Sequence, residues 1–73
     1  MIPTPRSIRF GRTLRKLRRE RGWTQEDLGA KARNLQQPHI SKLEAGERWP
    51  DWITTKKLHR AFGDRDIVRL LKA

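Results

Sequence analysis

Between Trp23 and Gly46 the chain reads WTQEDLGAKARNLQQPHISKLEAG, two short helical segments separated by a break. Thr24 supplies an N-cap hydroxyl, and Glu26 and Asp27 fill a first turn where the helix dipole favours negative charge. Asp27 also stands at the reciprocal capping position, three residues after the cap. Leu28 and Ala32 give this helix, about 24–32, its inner face. The turn RNLQ has no glycine, but Asn34 readily takes a positive φ and Leu35 can drop inward as a plug. A second helix at about 36–45 places Pro38 in its first turn, where a missing N–H costs nothing. Ile40 and Leu43 face inward, and Gly46 closes the helix.

The flanking chain continues the helical pattern. MIPTPRS carries two prolines and reads as a basic arm over residues 1–6. Ser7 is the expected N-cap of a helix over 7–21, with Phe10, Leu14 and Leu17 at helical spacing and Gly22 beyond its end. After the connector ERWP, Asp51 caps a helix over 51–62 whose expected inner stripe is Trp52, Thr55, His59 and Phe62, with Leu58 beside it. Gly63 and Asp64 then start a last short helix carrying Ile67, Val68, Leu70 and Leu71. No repeat or strand alternation appears. The expected class is all-α, a compact bundle of about five short helices forming one domain over residues 7–73.

A chain of 73 residues holds one small core, with a stability of about 3–5 kcal/mol. Eighteen Lys and Arg against eight Asp and Glu give a formal charge of +10, which repels itself in the folded state. Residues 1–21 hold eight of the basic side chains and one acid, Glu20. So uneven an excess points to a polyanionic partner rather than to a solvated helix face of mixed sign. The absence of cysteine excludes disulfides, cysteine-ligated zinc and thiol catalysis. No apolar run approaches membrane-spanning length, and the start lacks a signal-peptide core, so a cytoplasmic protein is expected.

A capped helix, a tight turn and a second helix with outward amides and a lysine are the ingredients of a helix-turn-helix reader of duplex DNA, here over about 24–45. Gln37 is of a type that bonds adenine N6 and N7 together, and Lys42 of a type that donates to guanine O6 and N7. Pro38 and the His39 ring add apolar surface for a thymine methyl. Each residue alone is more often plain surface; their value lies in sharing one helix.

The segments FGRTLRKLRRERGWTQEDLGAKA and HISKLEAGERWP resemble the Cro-type (XRE) helix-turn-helix family, over roughly residues 10–63. The joint pattern of Leu14, Leu17, Arg18, Gly22, Thr24, Gln25, Leu28, Ile40, Ser41, Glu44, Gly46 and Pro50 carries the likeness. The resemblance implies a lambda-repressor-like fold and a sequence-specific transcriptional regulator, of the repressor kind. It implies base contacts from Gln37, Pro38, His39 and Lys42, and phosphate contacts from Thr24, Gln25, Gln36, Ser41 and Arg48. Arg18 and Glu44 match a structural ion pair, and Arg6 and Arg9 are candidates for contacts from the arm. The chain departs from the pattern by one extra residue between Leu28 and Ile40. Arg33 or Asn34 therefore replaces the turn glycine, and the reading helix starts at one of two adjacent residues.

Readers of this type bind two half-sites about one helical turn, roughly 34 Å, apart, so a homodimer on DNA is expected. Trp49, Trp52, Ile67, Leu70 and Leu71 are the candidate surface for a dimer or another protein partner. The alternative role is an antitoxin that binds a toxin protein and autoregulates its operon. Catalysis is not expected: His39 and Ser41 point to different sides of a helix, and His59 and Ser7 complete no nucleophile-base pair. No cofactor, metal or membrane is expected. RNA and anionic membranes remain rivals for the basic helix, but its apolar residues are already needed by a helix-turn-helix core.

Overall fold

The computed structural model describes residues 4–72, which form five helices. Helix α1 (Pro5–Glu20) starts two residues earlier than expected, because Thr4 rather than Ser7 caps it. The Thr4 hydroxyl accepts the Ser7 N–H at 3.1 Å, and the Ser7 hydroxyl accepts the Thr4 N–H at 2.9 Å. Ser7 is thus the returning partner of a capping box. It is also buried and donates to the Gly46 carbonyl at 2.8 Å, tying the start of α1 to the end of α3 (Gln37–Glu44). Of the expected arm, Arg6 lies instead in the first turn of α1, and residues 1–3 fall outside the described residues.

Phe10, Leu14 and Leu17 of α1 meet Leu28, Ala32, Leu35, Ile40 and Leu43 in one core, completed by side chains from the last two helices. Two close approaches set its geometry. A Cβ on Gly11 would lie 2.4 Å from the Leu43 carbonyl oxygen and 2.6 Å from that of Glu44, so α1 rests directly on the last turn of α3. A Cβ on Gly29 would lie 2.3 Å from the Leu35 oxygen, and the Leu35 N–H donates to the Gly29 carbonyl at 3.0 Å. The turn after α2 (Gln25–Lys31) therefore folds back onto the helix that precedes it.

That turn absorbs the extra residue by placing both Arg33 and Asn34 in the left-handed region, at φ 54° and 61°. Two successive residues share the role of one turn glycine, and Leu35 drops into the core. Helix α3 then begins at Gln37, with Gln36 in the N-cap position.

Asp51 caps α4 (Trp52–Phe62), its carboxylate accepting the Thr54 N–H at 2.7 Å. The buried stripe is Thr54, Leu58 and Phe62, not the expected Trp52, Thr55, His59 and Phe62. Trp52 is 74% exposed, and His59 is exposed and pairs with Asp64. A spacing of four residues keeps Thr54, Leu58 and Phe62 over one another, whereas Trp52 and Thr55 drift off that line. In α5 (Asp64–Lys72), Ile67 and Leu70 are core residues, so the expected partner surface loses both; Val68 and Leu71 stay exposed. Arg21 joins the end of α1 to this half: it pairs with Asp66, donates to the Phe62 carbonyl at 3.1 Å and lies over the Trp23 and Phe62 rings.

Candidate nucleic-acid interface

The start of α2 is fixed by its own residues. The Thr24 hydroxyl accepts the Asp27 N–H at 3.0 Å, and Asp27 accepts the Thr24 N–H at 2.9 Å. The bond that the Thr24 N–H donates to the Asp27 carboxylate, helped by the Thr24 hydroxyl, holds that carboxyl below its ordinary pKa. The next N–H groups, of Gln25 and Glu26, belong to the first turn, where an α-helix offers no internal acceptor.

From this point a chain of polar contacts runs across to α3. The Arg18 guanidinium grips Glu44 through two bonds, Nε to Oε2 at 2.6 Å and Nη2 to Oε1 at 3.1 Å, and gives a third to the Trp23 carbonyl at 2.8 Å. Both side chains are largely buried, at 12% and 6% exposed. The bond to Glu44 raises the Arg18 pKa above its ordinary value. Glu44 Oε1 also accepts Gln25 Nε2 at 3.2 Å, and Gln25 Oε1 accepts Gln37 Nε2 at 2.7 Å.

This chain of bonds has a direction. An ionised carboxylate only accepts, so Glu44 fixes the Gln25 amide with its nitrogen inward and its oxygen outward. That oxygen in turn fixes the nitrogen of Gln37. Gln37, at the exposed first position of α3, is left with its carbonyl oxygen and one amide hydrogen to offer, an acceptor and a donor side by side. These are the two functions that an adenine edge complements.

Around Gln37 the outer face of α3 presents Pro38, Ser41 and Lys42, all exposed, with Gln36 at its cap and His39 half-buried. Arg48 is exposed in the segment that follows α3. Two basic residues from α1 join this surface without having been singled out in the sequence. Arg15 lines a hollow with Gln25, Ser41 and Glu44, and Arg19 lines a cleft with Thr24, Gln25, Glu26 and Gln37. Their spacing of four, on the side of α1 away from Leu14 and Leu17, was the available signal. Arg6 and Arg9 stand elsewhere, on the first turns of α1, and Arg6 lies 4.4 Å from the centre of the Trp49 ring. Trp49 in turn packs on Phe10 with ring centres 5.1 Å apart.

The profile of a family described as helix-turn-helix matches residues 14–70, from within α1 to the last helix. The chain is 42% identical over 53 residues to an uncharacterized HTH-type transcriptional regulator, y4dJ, of Sinorhizobium fredii, across 73% of this chain and 68% of that one. No solved structure matches the chain. With most of its length covered, and with a capped α2, a tight turn and an outward-facing α3 in place, the chain belongs to the helix-turn-helix family, of the Cro (XRE) type its residues resemble.

Proposed function

We propose that this protein is a sequence-specific, duplex-DNA-binding transcriptional regulator, acting as a repressor, that reads the major groove with α3 and binds inverted half-sites as a homodimer. The observation that carries the reading is the orientation of Gln37 by Gln25 and Glu44 at the exposed start of that helix. Gln37, Pro38, His39 and Lys42 meet base edges. Thr24, Gln25, Gln36, Ser41 and Arg48 meet phosphates, with Arg15 and Arg19 added from α1. A formal charge of +10 supports the attraction but carries no sequence information, since cations bind any duplex.

The family assignment and the regulator-named relative support the same reading. It is tested by selecting bound duplexes from a random pool at near-physiological salt. Enrichment of an inverted repeat with half-sites about one helical turn apart, roughly 34 Å, is expected. Failure of a well-folded protein to enrich any sequence would overturn it.

The exposed Trp52 and Ile53 favour a second role beside the first, that of an antitoxin that also holds a protein partner. A toxin-like protein copurifying with the chain supports that role, and a lone homodimer counts against it.

A further inference from the structure

Trp52 and Ile53 stand side by side on the first turn of α4, 74% and 64% exposed, on the side away from Thr54, Leu58 and Phe62. They share a shallow dent with Arg33, Lys56, Lys57 and Arg60. None of these four cations is in a salt bridge among the described residues, and Lys56 lies 5.9 Å from the centre of the Trp52 ring. We propose that this face of α4 is a docking site for a protein segment that brings an apolar anchor flanked by carboxylates.

The combination selects the occupant. Two adjacent large apolar side chains left in water gain from any apolar cover, and aromatic residues are favoured anchors at the centre of protein interfaces. The surrounding cations demand negative charge from whatever covers them. A second copy of this chain seated face to face would set Arg33, Lys56, Lys57 and Arg60 against their own duplicates. Duplex DNA would satisfy the cations, but the backbone that meets them sets only phosphates and sugars against Ile53 and the Trp52 ring. An anionic membrane would gain only Trp52 and Ile53 from this face, because the other large apolar side chains of α4, Leu58 and Phe62, are committed to the core, and interfacial binding scales with the apolar area buried. An acidic segment with one or two apolar side chains meets both demands.

This inference does not depend on α3 reading DNA, and its test keeps the two apart. The full chain is titrated with a synthetic peptide in which Leu and Phe alternate with Glu and Asp, followed by two-dimensional amide NMR. Saturable shifts centred on Arg33 and on α4 from Trp52 to Arg60 are expected. Affinity should fall about tenfold or more in Trp52→Ala, and again in a Lys56→Glu, Arg60→Glu double variant. The amide spectrum of Trp52→Ala should keep its native dispersion outside α4, which confirms that the variant folds, and its binding of mixed-sequence duplex DNA should be unchanged. Shifts spread over α1 and α3, with an affinity indifferent to Trp52→Ala, would overturn the proposal. Tighter binding at the same residues by oligothymidine or by anionic phosphatidylserine vesicles would overturn it equally, and would assign the face to that ligand.

Discussion

Glu44 and Asp64 are both carboxylates set against a basic side chain, yet the Glu44 side chain is 6% exposed and that of Asp64 95% exposed. Glu44 accepts two bonds from Arg18 and a third from Gln25, and so couples α1, α2 and α3 at the end of α3. Asp64 touches His59 across the short joint between α4 and α5, in full contact with water. The amino-terminal three helices use charge to hold side-chain positions. The last two are tied to α1 by the pair of Arg21 with Asp66, whose side chain is 13% exposed, but rest otherwise on apolar contacts, and the pairs of His59 with Asp64 and of Arg69 with Glu20 lie near the surface. Side-chain geometry is most tightly fixed around α3, while the first turn of α4 leaves Trp52 and Ile53 exposed.

The sharpest way to break this contrast is to remove each carboxylate in turn. Glu44→Ala leaves the Arg18 charge largely buried and unpaired, and should cost about 3 kcal/mol, the low end for a broken buried pair. In so small a domain that is most of the stability. Asp64→Ala should change stability by no more than about 1 kcal/mol, as exposed pairs do. Urea unfolding measures both, and equal losses would erase the distinction.

A smaller effect is expected where the backbones of α1 and α3 touch. Gly11→Ala improves helix propensity, but its Cβ would fall 2.4 Å from the Leu43 oxygen. It should therefore destabilise by about 1–3 kcal/mol, as overpacking does. A stabilised variant in the same unfolding experiment would show that α1 moves off α3 cheaply.

The same contrast governs what could be read from the sequence. Helices α1 to α3 were legible because caps, periodic leucines and the turn agree: Thr24 with Asp27, Phe10 with Leu14 and Leu17, Ile40 with Leu43. The amino-terminal start was misplaced because Thr4 and Ser7 both have capping hydroxyls, and only the fold shows which one lies outermost. In α4 the large aromatic Trp52 argued for an inward position, whereas the packing leaves it exposed and buries Thr54, which lies outside the expected stripe. Burial of Ile67 and Leu70 depends on where α5 lands, which local pattern does not encode. The positions of the base-reading candidates on α3 followed from helical spacing. The bonds joining Gln37 to Gln25 and Glu44 did not, because they unite three helices that are distant in sequence.

The smallest expected effect is on pH. Bonds to the Thr54 backbone and hydroxyl hold the Asp51 carboxyl below its ordinary pKa, with lesser help from the His39 and Lys57 charges, and Asp27 is lowered in the same way by Thr24. A lowered carboxylate pKa stabilises the fold fully above the ordinary value of 3.8, and that contribution is lost as pH falls through the folded-state value. Thermal melts should therefore decline on acidification below about pH 4. Asp51→Asn keeps a capping acceptor without its titration and should decline less steeply there. An unchanged acid slope would mean that the caps do not couple to protonation.

Gln37→Ala and Arg48→Ala, measured against the selected operator and its single-base variants, test the proposed role of α3. If α3 reads base edges through an amide oriented by Gln25 and Glu44, Gln37→Ala removes discrimination worth about 1–3 kcal/mol at one base pair in each half-site. Arg48→Ala should then weaken all the duplexes alike. A uniform loss across every sequence from Gln37→Ala would contradict the account.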